Sequence, residues 1–399
     1  MQHLYIHVPF CSRRCSYCDF AIAVRREIPA GRYVAAVLKE HDLKRLHGAW
    51  DPAPLETLYL GGGTPSKLPP EQVARLVTHF LQCDRSDSPI PHSPSPLSTV
   101  PHHTGVTRSG CAEPEVTLEV NPEDVSPRAV ENWFSAGVNR ISLGVQSFDQ
   151  PVLEWMHRTH RTEQAVAAVR LLQQSPIESV SLDLIFALPR ELKADFAADL
   201  HRAVELGPDH ISAYGLTVEP KTPLSRWIAR GATVPAAESR YADEFMLAHE
   251  VLSSVGYHHY EVSNYARPGH ESQHNRAYWC GVPYGALGPS AHSFDGVERS
   301  WNVRHWAEYE RVVAGGNLPV AGWERLTPDQ QRLERVYLSL RTAGGLRYDG
   351  PGDLDPTVLE AALASGWIVV AAGRARLTPA GWLRLDALVA ALTTSGKGG

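Results

Sequence analysis

In the stretch His-Leu-Tyr-Ile-His-Val-Pro-Phe-Cys-Ser-Arg-Arg-Cys-Ser-Tyr-Cys, residues 3–18, a strand pattern runs directly into a cluster of cysteines. Leu4, Ile6 and Val8 alternate with other residues, which predicts a first β-strand that ends at Pro9. The cysteines follow at once. Functional side chains at the carboxyl end of a strand are typical of parallel α/β folds, which contain several such strands.

Strands and helices alternate through the first half of the chain. Further strands are predicted at 57–60, 116–120, 140–145, 180–186 and 210–216, and helices at about 33–46, 73–80, 127 onward, 162–172 and 194–205. Six strands that alternate with helices predict a parallel sheet with crossover helices. Because the candidate functional residues fall at the ends of successive strands, an open partial (β/α)6 barrel is favoured over a doubly wound sheet.

The alternation stops near residue 220, which predicts three regions: a barrel at 1–225, a site-forming region at 226–325 and a C-terminal domain at 326–399. The last region contains a helix through Leu333, Tyr337 and Leu340, then a helix at 356–364, strands at 367–371 and 374–377, and a final helix after Thr378-Pro379. This order is winged-helix-like. Acidic and basic residues are nearly balanced there, so a packing or lid role is favoured over nucleic-acid binding.

One segment interrupts the barrel pattern. Residues 84–114 are rich in Ser, Pro and His and poor in aliphatic side chains. Such a segment cannot bury enough apolar surface to offset its ordering entropy, so it is predicted to be a flexible surface insertion with Cys111 as an unpaired thiol.

Composition excludes several classes of protein. The chain has 399 residues, of which 43% are hydrophobic and 21% charged, as in ordinary globular proteins, and its net charge is −6. This charge excludes a broad basic field for nucleic acid. No apolar run approaches the roughly 20 residues of a membrane span. Peripheral contact with a membrane stays open. With no signal peptide visible, we expect a cytoplasmic protein.

Cys11, Cys15 and Cys18 form a C-x3-C-x2-C pattern, whereas the other three cysteines are scattered. Thiolates in such a loop favour iron–sulfur clusters, zinc or copper. Structural zinc needs four ligands, and no fourth Cys or His lies at a matching offset. Three thiolates on a cubane cluster leave one iron open for another ligand. Zinc binding and chance clustering remain as alternatives.

The cysteine pattern, with Tyr17 just before the last cysteine, resembles the radical S-adenosylmethionine (SAM) superfamily. More closely, the chain resembles the oxygen-independent coproporphyrinogen III oxidase family and its haem-chaperone branch. This resemblance implies a 4Fe–4S cluster on Cys11, Cys15 and Cys18, with SAM chelated to the open iron.

The resemblance also implies a set of SAM contacts. Most of these residues lie at or after predicted strands: Tyr5, Gly62, Gly63 and Thr64 of a Gly-Gly-Gly-Thr-Pro loop, Glu119, Gln146, Arg158 and Asp183. Arg158 matches a partner of the SAM carboxylate, and Asp183 matches an acceptor for the ribose hydroxyls. Each of the four residues Glu119, Gln146, Arg158 and Asp183 alone could instead be a structural polar group; their common order after the cysteine loop favours the SAM interpretation.

Two features separate the branches of the family. The oxidases carry a fourth cysteine where this chain has Phe20, and they have an N-terminal extension, whereas ten residues precede Cys11 here. The haem-chaperone branch carries a His-Asn-x-x-Tyr-Trp motif, which matches His274 to Trp279. A neutral imidazole is a good haem ligand, so His274 is a candidate for the haem iron; a structural histidine in an aromatic cluster is the other interpretation.

Two functions therefore stand. The first is a haem chaperone that carries a SAM-bound cluster and haem and works with an electron donor and a haem-acceptor protein. The second is a radical SAM oxidase of a porphyrinogen or another tetrapyrrole. A winged-helix DNA regulator with a redox-sensing cluster is a third, weaker alternative. No catalytic residue is assigned, and whether the chain is an enzyme stays open.

Overall fold

A computed structural model describes residues 1–48, 53–86, 113–350 and 354–393, without the side chains of 83–86. In chain order the strands are β1 (His3–Val8), β2 (Phe10–Cys11), β3 (Ala23–Val24), β4 (Thr57–Gly62), β5 (Glu115–Val120), β6 (Arg140–Gln146), β7 (Ser179–Phe186), β8 (His210–Gly215), β9 (His258–Glu261), β10 (Asn264–Ala266), β11 (Gly285–Leu287), β12 (His292–Phe294), β13 (Glu298–Asn302), β14 (Val320–Arg325), β15 (Leu346–Arg347), β16 (Ile368–Ala371) and β17 (Arg374–Leu377).

The helices surround these strands. They are α1 (Ala30–Leu46), α2 (Pro70–Ser86), α3 (Pro127–Ser135), α4 (Gln150–Trp155), α5 (Thr162–Gln173), α6 (Phe196–Leu206), α7 (Pro223–Ala229), α8 (Glu238–Ser254), α9 (Gln273–Trp279), α10 (Trp306–Ala314), α11 (Pro328–Leu340), α12 (Pro356–Ala364), α13 (Pro379–Trp382) and α14 (Leu385–Thr393).

A sheet of nine strands holds the structure together, in the order β11-β1-β4-β5-β6-β7-β8-β10-β9. The six predicted strands β1, β4, β5, β6, β7 and β8 lie side by side and are all parallel to one another, which confirms the predicted fold class. At one edge, β10 and β9 continue the sheet in antiparallel fashion. At the other edge β11 pairs with β1 in parallel, so strands of the 226–325 region flank the predicted barrel strands on both sides.

Local sequence explains the crossover helices. The Ser126 side chain caps α3 by accepting from the Ala129 amide, and Pro127 occupies the first helical turn, where a missing amide hydrogen costs nothing. Asp195 caps α6 in the same way. Helix α2 turns the predicted apolar face inward, and Val73, Leu76 and Val77 are fully buried. The helices thus cover the outer face of the parallel strands.

The C-terminal part carries two small antiparallel sheets. Strands β12, β13 and β14 form one, and β15, β17 and β16 form the other, packed with α11 to α14. Helix α12 and strand β17 have the predicted bounds, whereas the single predicted last helix is two helices, α13 and α14. The Trp382 indole donates to the Leu340 carbonyl at 3.0 Å, which joins α13 to α11.

Most of the predicted insertion at 84–114, including Cys111, lies outside the described residues. Within the described residues, no helix combines the length and apolar character needed to cross a bilayer.

Candidate functional site

A cavity of about 490 Å³ opens at the carboxyl ends of the parallel strands. All but two of the predicted site residues line it: Cys11, Cys15, Cys18, Gly62, Gly63, Thr64, Glu119, Gln146, Arg158 and Asp183. These residues come from the ends of β1, β4, β5, β6 and β7 and from the loops that follow, as the parallel topology requires.

The cysteine loop is fixed by backbone hydrogen bonds on three sides. The Arg25 amide donates to the Cys11 carbonyl at 3.0 Å, beside the short β2–β3 pair. The Ser16 amide donates to the Met156 carbonyl at 3.1 Å, and the Leu224 amide donates to the Ser16 carbonyl at 2.8 Å. The three thiols are therefore held at the cavity by separate parts of the fold.

The thiols lie beside polar groups that suit a bound metal centre. Cys11 Sγ is 3.4 Å from the Thr64 hydroxyl, and Arg158 Nη1 is 3.7 Å from Cys15 Sγ. Burial raises the pKa of the Cys11 thiol and raises that of Cys18 to about 12, so a metal would be needed to hold both as thiolates at neutral pH. Among the described residues, no three His, Cys, Asp or Glu side chains surround a point where a single ion could bind.

Glycines at the end of β4 allow a close approach of two loops. Gly62 has φ +112°, a conformation that L side chains rarely adopt. A Cβ on Gly63 would lie 2.8 Å from the Pro9 carbonyl carbon and 2.9 Å from the carbonyl oxygens of Val8 and Phe10. The glycine at position 63 therefore lets the loop after β4 lie directly on the segment that leads to Cys11.

Two carboxylates face the cavity from β5 and β7, the strands on either side of β6. Glu119 accepts hydrogen bonds from the Tyr59 hydroxyl and the Gly62 amide, both at 2.9 Å, and burial raises its pKa to about 7. Asp183 accepts from the Ser142 hydroxyl, at 3.0 Å to one oxygen. Burial raises the pKa of Asp183 as well. Both side chains can accept hydrogen bonds from a ligand with amine or hydroxyl groups.

Arg158 and Gln146 complete the wall of the cavity. Arg158 Nη2 donates to Asn121 Oδ1 at 2.7 Å and to the Gly144 carbonyl at 2.8 Å, while its buried Nε has no partner. A buried donor without a partner commonly marks the place of an additional bound group. Gln146 has a left-handed φ of 71° where the β6–β7 register shifts, a strained backbone of the kind that concentrates at functional sites.

The two remaining predicted residues lie outside the cavity lining. Tyr5 lies beside Tyr59, with ring centroids 5.9 Å apart, because the two residues are register partners on the adjacent strands β1 and β4. His274 is only 1% exposed, and both of its ring nitrogens are hydrogen-bonded: Nδ1 is 2.7 Å from Thr57 Oγ1, and Nε2 is 2.9 Å from the Tyr278 hydroxyl. In this conformation neither nitrogen is free for an iron, and haem ligation by His274 stays a prediction.

The cavity also contains residues that sequence reasoning missed: Tyr17, Tyr59, Asn121, Ser142 and Tyr214. Tyr59 could have been found, because it alternates with the buried Leu58 and Leu60 and so faces the opposite side of the sheet. Asn121 directly follows the end of β5, which is the kind of position where the sequence analysis expected functional side chains. Tyr214 is 42% exposed at the end of β8 and had no comparable motif around it.

The chain is similar to known proteins over nearly its whole length. The model of the radical SAM superfamily matches residues 5–203. A heme chaperone HemW from Mycobacterium tuberculosis is 36% identical over 98% of this chain and 94% of that protein. The HemW of Escherichia coli is 31% identical over 97% of this chain and 96% of its own.

The fold has a solved relative. Coproporphyrinogen III oxidase (HemN) from Escherichia coli, a radical SAM enzyme, matches with a TM-score of 0.76 and 22% identity, over 98% of this chain and 90% of that one. At this identity the likeness supports the fold, and the full-length curated relatives supply the family. The chain therefore belongs to the radical SAM superfamily and to the family of the HemW heme chaperones, and it has the fold of HemN.

Proposed function

We propose that this protein is a haem chaperone: it binds a 4Fe–4S cluster, SAM and haem, and it transfers haem to an acceptor protein. The observation that carries the proposal is the convergence of Cys11, Cys15 and Cys18 with the Gly62–Thr64 loop on one cavity, in a chain whose full-length relatives are named heme chaperones. Superfamily membership implies the cluster and SAM.

The cavity fits these two groups. Three thiols on one loop match a cluster that takes one thiolate per iron, and the buried free Nε of Arg158 matches a missing anionic partner. When bound, the cluster would supply an open iron for SAM and an electron for its cleavage. Cys11, Cys15 and Cys18 would hold it, and the cavity walls would limit solvent access.

Around SAM, each side chain has a distinct role in the proposal. Arg158 pairs with the carboxylate, which supplies an acceptor for its guanidinium. Glu119 and the Gly62–Thr64 backbone bind the amino group, and Asp183 accepts from the ribose hydroxyls. Gln146 contacts the nucleoside from the end of β6. Since Glu119 already accepts two hydrogen bonds from the protein, its carboxylate is oriented before the ligand arrives.

Chaperoning is favoured over porphyrinogen oxidation by Phe20. The oxidases have a cysteine at this position, whereas the Phe20 side chain is 57% exposed beside the cluster loop. We place the protein in the cytoplasm, with an electron donor and a haem-acceptor protein as its partners.

The proposal is tested by anaerobic cluster reconstitution of the whole chain, followed by haem and coproporphyrinogen titrations of one sample. We expect about four irons, one SAM and one haem per chain, and haem transfer to an added apocytochrome as the probe acceptor. A Cys11→Ala, Cys15→Ala, Cys18→Ala triple variant should lose the iron. Turnover of coproporphyrinogen with SAM and a reductant, or no haem uptake, would contradict the proposal.

A further inference from the structure

His274 does not line the cavity, but it contacts Tyr59, which does. Its imidazole stacks on the Tyr59 ring, with centroids 5.1 Å apart and planes at 28°. Tyr5 lies against the same pair, 5.9 Å from Tyr59 and 6.4 Å from His274. The three rings form an aromatic cluster in which His274 is buried and Tyr59 lines the cavity.

Tyr59 connects this aromatic cluster to Glu119, on the cavity wall that is proposed to bind SAM. Its hydroxyl donates to Glu119 Oε1 at 2.9 Å, and the Gly62 amide donates to Glu119 Oε2 at 2.9 Å. Glu119 and Gly62 both line the cavity. A tilt of the Tyr59 ring would therefore turn the Glu119 carboxylate away from the geometry in which it also holds the Gly62 loop.

His274 is itself fixed from three directions. Thr57 and Tyr278 bind its two ring nitrogens, and its backbone amide donates to Glu115 at 3.0 Å. Burial also lowers the pKa of His274 to about 3, so the ring stays neutral against the tyrosines. A side chain held this firmly can impose its plane on the ring that stacks against it.

We propose that His274 is a positioning residue for the SAM site, which sets the orientation of Tyr59 and, through it, of Glu119 and the Gly62 loop. The proposal rests on the proposed SAM site and not on haem transfer. It assigns the first residue of the His-Asn-x-x-Tyr-Trp motif to the support of SAM binding instead of to the haem iron. An iron on either ring nitrogen would have to break a hydrogen bond that the fold already makes.

The test compares two substitutions of His274 in cluster-loaded, full-length protein. His274→Ala removes the stacked ring and should weaken SAM binding by about tenfold. His274→Phe keeps a ring against Tyr59 but offers no iron ligand, and it should restore SAM affinity to within about threefold of the parent. SAM affinity is measured by equilibrium dialysis, and haem binding by the position and intensity of the Soret band in the same samples.

We expect the Soret band to be unchanged in both variants. Loss of the haem band in both variants with parental SAM affinity would overturn the proposal and make His274 the iron ligand. SAM affinity of His274→Ala within about twofold of the parent, or no rescue by His274→Phe, would also overturn it. So would a parent protein that binds no SAM, whereas failure of haem transfer alone would contradict only the proposed function.

A second pair of variants covers the case in which His274→Ala does not fold. Thr57→Val removes the partner of His274 Nδ1 without removing any side chain that could bind iron, and it should weaken SAM binding by about threefold. His3→Ala is the matched control, because His3 contacts the same Thr57 hydroxyl at 3.0 Å but does not stack on Tyr59. Equal SAM affinity in the two variants would overturn the proposal.

Discussion

Two glutamates, the fully buried Glu40 and the partly buried Glu119, are surrounded very differently. Glu40, on α1, is fully buried and accepts from the Gly288 amide at 2.8 Å, from Asn302 at 2.7 Å and from the Tyr309 hydroxyl at 2.6 Å. Lys44 forms an ion pair with it at 3.4 Å. Glu119 faces the cavity and accepts two hydrogen bonds.

The difference separates a structural carboxylate from one available to a ligand. Around Glu40, three donors and a cation leave little acceptor capacity, so the side chain ties α1 to β11 and α10. Glu119 keeps acceptor capacity on the cavity side, and burial raises its pKa. Polar groups whose partners are complete in the fold support structure, and those left incomplete beside a cavity are candidates for binding.

The largest effect is expected from the removal of Glu40, the glutamate whose partners all lie within the fold. Glu40→Ala leaves the buried Lys44 ammonium without its counter-ion and removes three hydrogen bonds, so we expect a loss of about 3–5 kcal/mol in the free energy of unfolding. Urea denaturation followed by circular dichroism measures it. Glu310→Ala is the control, because its partner Arg32 is 71% exposed, and it should cost less than about 1 kcal/mol. Similar losses in the two variants would contradict the structural role of Glu40.

A second test disturbs the cavity and leaves the Glu40 site intact. In Gly63→Ala the new methyl group would meet backbone atoms of Pro9 and Phe10 at 2.8–2.9 Å, which cannot move aside as a flexible side chain could. We expect a cost of about 1–3 kcal/mol and a clear loss of iron after reconstitution, measured by iron content and visible absorption.

Gly31→Ala is the control for this test, since a Cβ there meets nothing within 4 Å. Gly31 lies in the first turn of helix α1, so alanine should be tolerated without loss of stability and without a change in iron content. If Gly63→Ala kept full iron content, the close approach of the two loops would not matter for the cluster.

The parallel strands and most of the cavity could be predicted because their signals are local. Alternation of Leu4, Ile6 and Val8 places a strand before Cys11, and parallel topology then gathers the strand ends at one edge. Glu119 and Asp183 reach the cavity for this reason. The same periodicity predicts that Tyr59 lies on the opposite face of β4 from Leu58 and Leu60, the face that lines the cavity.

His274 and Glu40 could not be understood in this way, because their partners are distant in sequence. His274 binds Thr57, 217 residues away, and Glu40 binds Gly288 and Tyr309, 248 and 269 residues away. A motif shows which side chains are present, but only the packing of α9 and α10 on the barrel shows that their hydrogen bonds are already made. The position of Tyr5 beside Tyr59 likewise follows only from the β1–β4 register.

The last prediction concerns the pH dependence of Glu119, whose pKa is raised to about 7 by burial. As a carboxylate, Glu119 is a stronger hydrogen-bond acceptor for the SAM amino group than as a neutral acid, so SAM binding should strengthen as pH rises from 6 to 8. We expect a change of about tenfold or less, measured by equilibrium dialysis. Glu119→Gln should bind SAM more weakly at pH 8 and with a flatter pH dependence.

The contribution of Glu119 to the free energy of unfolding should instead decrease as pH rises. Because the folded-state pKa of Glu119 lies above its ordinary value of 4.5, the folded state holds this proton more tightly than the unfolded state. The resulting stabilisation is present at low pH and is lost as pH rises through 7. Parent and Glu119→Gln should therefore differ in the pH dependence of unfolding between about pH 5 and 8, with the variant gaining relative stability at the alkaline end. Parallel pH curves for the two proteins would contradict a raised pKa of Glu119 in the folded state.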